Sequence, residues 1–252
     1  MLARAEKDRI LLNWIDENTF VIDGIKFTLD YQLGGSKRPS DPHNFTMMKA
    51  PNFLNHYLAL QGQDIRNILE LGVYQGGSFV FLDKLLKPEH ISAVELLTTP
   101  IPALDRYVEA NKDRARMHYG TSQGEVEALN RIVAEDFNGR LDLVVDDASH
   151  WYELTKTAFE VLFPKVRPGG TYIIEDWNWS FLGDYQTEGH AWFDQPSLAN
   201  ILLDFAEELS INNSVANVLV SRELMVIKKT EATEIGPIFQ GKGLRGRQRQ
   251  LI

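Results

Sequence analysis

From Asn67 onward the sequence alternates between short apolar runs and amphipathic segments, and this alternation most constrains the fold. Strands are predicted for the runs NILELG, HISAVEL, ARMHYG, LDLVVDD and GGTYIIED, with helices between them. Such alternation over short connections produces a mainly parallel sheet with helices on both faces. The final runs, VANVLVS and ELMVIKK, are joined by a turn at Arg222 that is too short for a crossover, so they must pair antiparallel. We therefore predict an α/β fold with a doubly wound, mostly parallel, seven-stranded Rossmann-like sheet and an antiparallel last strand.

An N-terminal extension precedes this pattern. Apolar residues at helical spacing predict a helix over residues 3–17. Two β-type runs then flank Asp23-Gly24, the strongest short-range signal for a tight hairpin. A Gly/Pro/Ser loop follows, and a second helix is predicted near Pro51. We assign residues 1–62 to this extension, as a substrate cover or oligomer contact, residues 63–230 to the core, and residues 231–252 to a basic tail.

Composition excludes several classes of function. The formal net charge of −9 disfavours binding to nucleic acid, and the basic residues of the tail are predicted to be solvated. Cysteine is absent, which excludes disulfides, thiolate metal sites and cysteine nucleophiles. No apolar stretch is long enough to span a bilayer, and the charged N-terminal segment is unlike a signal peptide. We expect a cytoplasmic protein with no membrane or nucleic-acid partner.

A first candidate site lies in ELGVYQGGS, which follows the first core strand and opens a helix. Gly72, Gly76 and Gly77 would let the backbone approach a ligand closely at the sheet edge where such folds bind nucleotides. One strand later, Glu95 suits the paired hydroxyls of a ribose. The alternative is an ordinary turn with a surface glutamate. Turn, acid and strand order together favour a nucleoside ligand.

These residues resemble the class I S-adenosyl-L-methionine-dependent methyltransferases in the form E/D-x-G-x-x-x-G-G, and the resemblance covers about residues 64–229. It implies that glycines pack on the methionine portion of S-adenosyl-L-methionine, that Glu95 holds the ribose, and that the segment through Gln123 lines the adenine. The cofactor-binding residues implied in this way are Glu70, Gly72, Gln75, Gly76, Gly77, Ser78, Glu95, Gly120, Thr121, Ser122 and Asp146.

A second candidate site follows the fourth and fifth predicted core strands, which end in Asp146-Asp147 and in Glu175-Asp176. Because the carboxyl ends of parallel strands share one edge, both acid pairs should face one cleft. Crowded carboxylates repel, raise each other's pKa or bind a cation, and oxygen ligands suit Mg²⁺. His150 could then act as a general base. The alternatives are that the acids cap a helix or a loop and that His150 is structural.

The pairing of DDASH with IIED resembles the metal-dependent O-methyltransferases that act on macrolide sugars, of the mycinamicin and tylosin type, and the cephalosporin-hydroxylase-like proteins. The resemblance implies that Asp147, Glu175 and Asp176 bind the metal, that His150 deprotonates the acceptor hydroxyl, and that Asp146 lies closer to the cofactor. Ala148 departs from the pattern, because glycine is commoner at this position.

The predicted function is an S-adenosyl-L-methionine-dependent, divalent-metal-dependent O-methyltransferase for a hydroxyl of a sugar or polyketide intermediate. Its partner would be a small hydroxylated acceptor, and the sequence is compatible with a homo-oligomer or with part of a larger biosynthetic synthase. An NAD(P)-dependent oxidoreductase is disfavoured by the glycine spacing and the antiparallel last strand, and a non-catalytic scaffold is a third alternative. The aromatic-rich segment Trp177–Phe193 is either a lid on the acceptor or ordinary packing.

Overall fold

The structure is a computed structural model that describes residues 9–31, 38–232 and 236–239. The chain divides into two compact units, Met1–Gly120 and Thr121–Ile252. Most of the basic tail and the first half of the helix predicted over residues 3–17 lie outside the described residues. The predicted boundary after residue 62 stays a prediction.

A four-stranded sheet opens the first unit. Its strands lie in the order β1 (Asn13–Asp16), β2 (Thr19–Ile22), β3 (Ile25–Leu29) and β4 (Asn44–Met47). The first three pair antiparallel, and β4 runs parallel to β3. The hairpin predicted at Asp23-Gly24 is confirmed. Both turn residues have positive φ, 48° and 77°, as the two-residue turn that matches strand twist requires.

The prediction of a helix over residues 3–17 is wrong for the residues described. Asn13–Asp16 form the strand β1, which pairs with β2. Trp14 lies opposite Phe20, and their ring centroids are 5.1 Å apart. The ladder and this cross-strand aromatic pair stabilise an extended backbone, which outweighs the weak helical preference of the segment.

The rest of the first unit alternates strands and helices as predicted. After α1 (Pro51–Leu58), the order is β5 (Asn67–Leu71), α2 (Gly77–Leu86), β6 (His90–Glu95), α3 (Pro102–Ala110) and β7 (Ala115–Tyr119). The three strands are parallel. The N-terminal sheet packs on α2, where Phe81 meets Phe20 and Phe27 edge to face at 5.8 and 6.0 Å. The extension therefore shares the hydrophobic core of this unit.

The second unit continues the alternation. Its elements are α4 (Val126–Phe137), β8 (Leu141–Asp146), α5 (Tyr152–Leu162), β9 (Val166–Glu175), α6 (Ile201–Ile211), β10 (Val215–Val220) and β11 (Leu224–Lys229). Strands β8 and β9 are parallel, so their carboxyl ends lie at the same edge. Strand β11 runs antiparallel to both β9 and β10.

The predicted seven-stranded sheet is confirmed, with the strand order β10-β11-β9-β8-β5-β6-β7 and the antiparallel last strand. Within the part of the chain that the structure describes, no helix has the length and apolar character needed to cross a membrane.

Candidate functional site

The glycine turn of the first unit joins β5 to α2. Gly76, with φ of 81°, forms the N-cap of α2, and its N–H donates to the Val73 carbonyl at 2.6 Å. A Cβ built at Gly76 would lie 3.0 Å from the Leu104 side chain. The expectation that the Gly76 backbone approaches a cofactor stays a prediction. Residue 76 must be glycine because of its left-handed backbone and its contact with Leu104.

Gly77 is constrained even more tightly by its own unit. A Cβ at this position would lie 2.2 Å from the carbonyl oxygen of Thr46, in strand β4. Gly77 thus allows the N-terminal sheet to approach the start of α2. Packing alone is sufficient to require glycine at residue 77, and the close approach of a ligand to its backbone stays a prediction.

The N-terminal extension also holds the glycine turn through hydrogen bonds. The Ser40 hydroxyl donates to the Gln75 carbonyl at 2.7 Å and accepts the Thr46 N–H at 2.9 Å. The Tyr74 hydroxyl donates to the buried carboxylate of Asp30 at 3.1 Å. The turn is therefore fixed from outside the strand and helix that it joins.

Glu95 ends β6 beside this turn and links two loops. One carboxylate oxygen accepts the Val73 N–H at 3.3 Å, and the other accepts the Leu97 N–H at 3.0 Å. The side chain is half-buried, so Glu95 is not a freely solvated surface residue. A carboxylate has about four lone-pair positions, so Glu95 keeps the capacity to accept hydroxyls of a bound ligand.

The other residues predicted for cofactor binding differ in burial. Glu70 in β5 is fully buried, Ser78 in α2 is nearly so, and Gly72 donates its N–H to the Val94 carbonyl at 2.9 Å. Gly120 is exposed at the end of the first unit. In the second unit, Thr121 and Ser122 are half-buried, and the Ser122 hydroxyl accepts the Gly124 N–H. The assignment of these residues to the cofactor stays a prediction.

The second unit brings together three side chains from the carboxyl ends of β8 and β9. Asp147, His150 and Asp176 each place one ligand atom within 4.8 Å of the others, and the His150 Nε2 lies 3.9 Å from an Asp147 oxygen. The sequence predicted that both acid pairs face one cleft, and one acid of each pair, Asp147 and Asp176, belongs to this group. Glu175 is buried, with 1% of its surface exposed, and lies outside this group.

The donor set fits a divalent cation. Two carboxylates supply hard oxygen ligands and negative charge, and a neutral imidazole can join them for a borderline metal. The spacing of the three donor atoms allows them to converge on one ion.

Two members of the group have left-handed backbones, with φ of 57° at His150 and 49° at Asp176. Such a conformation is unfavourable for residues other than glycine, and it clusters at functional sites where the surrounding structure enforces it. The Trp179 indole N–H donates to the His150 carbonyl at 2.9 Å and helps to hold this conformation.

Asp146 turns away from the group and is buried. Its carboxylate accepts the Tyr172 hydroxyl at 3.1 Å and the Gln123 amide at 3.1 Å. Burial raises the pKa of Asp146 to about 7, and the Tyr172 hydrogen bond opposes that rise. Burial beside Asp146 also raises the pKa of Tyr172. The two neighbouring aspartates thus have different environments.

The alternative that Asp146 and Asp147 cap the next helix is wrong. Helix α5 begins after Trp151 without a capping side chain, and the Trp151 N–H donates to the Ser149 hydroxyl.

The aromatic segment packs on the histidine. The Trp192 and His150 rings meet at 90° with centroids 5.5 Å apart, and Trp192 also contacts Trp179 at 5.1 Å and Tyr185 at 5.0 Å. Packing therefore accounts for these tryptophans, and their use as a lid stays a prediction. Phe181 and Phe193 remain exposed.

Comparison with known proteins shows that residues 69–177 match the model of a methyltransferase domain family. This range contains the glycine turn, Glu95 and the group of Asp147, His150 and Asp176, called the acidic group below. Over residues 69–177 the chain is similar to methyltransferase domains. The resemblance inferred from the glycine and acid motifs is thereby confirmed.

Two curated relatives are similar to this chain in sequence. An 8-demethyl-8-(2-methoxy-alpha-L-rhamnosyl)-tetracenomycin-C 3'-O-methyltransferase of Streptomyces olivaceus is 34% identical over 148 residues, which is 56% of this chain and 35% of the relative. The mycinamicin VI 2''-O-methyltransferase of Micromonospora griseorubida is 31% identical over 133 residues, 50% of this chain and 30% of the relative. The chain thus matches about a third of the length of these relatives.

The fold of this chain is similar to the folds of solved methyltransferase structures. The MycE methyltransferase of the mycinamycin biosynthetic pathway, solved in complex with Mg and SAH, has a TM-score of 0.53 at 23% identity, covering 77% of this chain and 51% of its own. An O-methyltransferase from Bacillus cereus in complex with SAH has a TM-score of 0.51 at 21% identity, covering 72% and 82%.

The sequence did not single out Tyr172, Thr155 or the contact of Trp192 with His150. A tyrosine inside a buried strand does carry a signal, because its hydroxyl needs a polar partner. The partner itself, Asp146, is a tertiary neighbour.

Proposed function

We propose that this protein transfers a methyl group from S-adenosyl-L-methionine to a hydroxyl oxygen of a small natural-product acceptor, with the help of a divalent cation. The observation that carries the proposal is the group of Asp147, His150 and Asp176 at the carboxyl ends of two parallel strands of a methyltransferase domain. The acceptor class is a sugar or polyketide hydroxyl, since the curated relatives are named as methyltransferases of rhamnosyl tetracenomycin and mycinamicin.

The proposed roles follow from the chemistry. S-adenosyl-L-methionine supplies an electrophilic methyl on a sulfonium, and a divalent cation, most simply Mg²⁺, makes a hydroxyl more acidic. Asp147 and Asp176 would hold the cation, while the glycine turn and Glu95 would hold the cofactor. Glu175, the third ligand predicted from the sequence, is buried outside the group and would act behind these ligands. His150 would accept the proton of the acceptor hydroxyl at an imidazole nitrogen. The bound cofactor would supply the methyl group for the acceptor oxygen and would leave as S-adenosylhomocysteine.

His150 has two candidate roles, since its imidazole lies among the carboxylates. We propose the role of general base. His150→Ala should then lower kcat by about 10²–10⁴-fold, with little change in cation affinity. A large loss of cation affinity, with turnover restored at saturating cation, would make His150 a ligand instead.

Calorimetry and turnover test the proposal together. The protein should bind S-adenosylhomocysteine and Mn²⁺, and a chelator should abolish methyl transfer. Asp147→Asn and Asp176→Asn should each weaken Mn²⁺ binding, whereas Asp184→Asn, an exposed acid in the aromatic segment, should not. Full turnover after exhaustive chelation would refute the metal-dependent mechanism, and absence of S-adenosylhomocysteine binding would refute the methyltransferase.

One observation favours an NAD(P)-dependent oxidoreductase: Tyr152 and Lys156 have the Tyr-x-x-x-Lys spacing that many such enzymes use. In this protein, however, the Tyr152 side chain is buried with 4% exposure, and its hydroxyl donates to Asp204 at 2.8 Å. Lys156 lies 3.5 Å from the same aspartate. The pair thus serves the packing of α5 on α6, and the methyltransferase is the better supported function.

A further inference from the structure

The turn from Asp146 to His150 carries two of the three residues of the acidic group. A buried glutamine forms hydrogen bonds to two residues of this turn. Gln123 follows β7 in sequence and has 4% of its surface exposed. Its Oε1 accepts the backbone N–H of Ser149 at 2.7 Å. Ser149 lies between Asp147 and His150, so this bond fixes the middle of the turn.

The orientation of the Gln123 amide is determined by its neighbours. A backbone N–H can only donate, so the atom that faces Ser149 must be the amide oxygen. The amide nitrogen then faces acceptors, and it lies 3.1 and 3.3 Å from the two Asp146 oxygens and 3.4 Å from the Thr155 hydroxyl. Asp146 is in turn held by the Tyr172 hydroxyl of β9 at 3.1 Å.

We propose that Gln123 is a positioning residue that sets the geometry of the turn bearing Asp147 and His150. The chain of contacts runs from Tyr172 through Asp146 and Gln123 to the Ser149 N–H. It braces a turn whose last residue has a left-handed backbone, which needs such support. The resemblance to methyltransferases placed Gln123 among the residues lining the adenine. Its burial and its hydrogen bonds instead direct its amide into the protein.

The consequence for cation binding rests on the proposed function. Side chains that orient metal ligands typically change metal affinity or activity by about 10–100-fold when they are removed. The brace itself does not depend on a cation, because all of its bonds exist within the protein. Metal-free protein can therefore test it separately.

The test compares Gln123→Met with a matched control. Methionine keeps the length and volume of the side chain but removes the acceptor for the Ser149 N–H. Gln61→Met is the control, because the Gln61 amide also forms hydrogen bonds to a backbone segment, two of them to Ile10 at 2.7 and 3.0 Å. Gln61 belongs to the other unit and should leave the turn unaffected.

Residue-resolved amide hydrogen exchange of metal-free protein is the first readout. The Ser149 N–H should be protected in the wild type and should exchange at least about tenfold faster in Gln123→Met, as expected for loss of a net hydrogen bond of about 1.4 kcal/mol. An unprotected Ser149 N–H in the wild type, or unchanged exchange in the variant, would overturn the proposal. If Gln123→Met does not fold, Gln123→Asn replaces it, because its shorter amide should lose the bond to the Ser149 N–H and raise the exchange rate in the same way.

Mn²⁺ affinity is the second readout. Gln123→Met should raise the Mn²⁺ dissociation constant by about 10–100-fold and change S-adenosylhomocysteine affinity less than twofold, while Gln61→Met changes neither. Equal loss of both affinities would indicate that Gln123 contacts the cofactor and would overturn the positioning role. If wild-type protein binds no Mn²⁺, the metal-dependent function fails, while protected Ser149 exchange still supports the brace.

Discussion

The rings of His150 and Trp192 meet at right angles with their centroids 5.5 Å apart. The indole of Trp192 thereby occupies one side of the candidate base and restricts rotation of its imidazole. Trp179 restricts the same residue through its carbonyl. The aromatic segment is thus part of the candidate site, because it determines where His150 can point.

Replacement of Trp192 should affect turnover more than binding. An aromatic pair contributes about 0.5–1.5 kcal/mol, so Trp192→Leu should lower kcat by about 2- to 10-fold and leave the KM for S-adenosyl-L-methionine unchanged. Phe193→Leu, the exposed neighbour, is the control in steady-state kinetics. A changed cofactor KM with normal kcat would contradict this role.

Ser40 should support cofactor binding from the N-terminal extension, because its hydroxyl donates to the Gln75 carbonyl of the glycine turn. Loss of one hydrogen bond of about 1 kcal/mol should weaken S-adenosylhomocysteine binding about fivefold in Ser40→Ala, as measured by calorimetry. Thr28→Val removes a side-chain bond to Asn44 in the same sheet and should leave the affinity unchanged. Equal affinities in both variants would show that the extension does not support the turn.

Gly77→Ala should destabilise the protein strongly, since the added Cβ would lie 2.2 Å from the Thr46 carbonyl oxygen and backbone must move. Overpacking of this kind lowers the free energy of unfolding by about 3 kcal/mol, as measured by urea denaturation. At Gly183, a Cβ would meet nothing within 4 Å, so Gly183→Ala should be nearly neutral. Similar unfolding midpoints for the two variants would refute the packing explanation of Gly77.

Asp146 should make stability depend on pH. Its pKa is raised from 3.8 to about 7 by burial in the folded protein. Between these values the folded state binds the proton more tightly than the unfolded state, so the free energy of unfolding should fall as the pH rises. Asp146→Asn should remove this decline in urea denaturation of metal-free protein.

Tyr172→Phe provides the matched comparison, because the Tyr172 hydroxyl lowers the pKa of Asp146. Without that hydroxyl the pKa of Asp146 should rise further, and the decline should extend to higher pH. Identical pH dependence in wild type and Asp146→Asn would assign the titration to another group.

The sequence by itself determined the core fold and the chemical character of the site. Period-two and helical patterns, Asp23-Gly24 and the tight final turn are local features, so they predicted the hairpin, the alternating elements and the antiparallel last strand. The parallel arrangement of consecutive strands was also sufficient to predict that Asp147 and Asp176 meet at one edge.

Tertiary structure decided what each side chain does there. Residues 13–16 form a strand because they pair with β2 and Trp14 packs on Phe20. The helical spacing of apolar residues does not reveal this pairing. Gly77 is fixed by the backbone of Thr46, 31 positions earlier in the chain. Asp146 and Asp147 are adjacent in sequence, but only the fold buries the first beside Tyr172 and turns the second toward His150. These distinctions depend on contacts between residues distant in sequence, and local patterns do not encode such contacts.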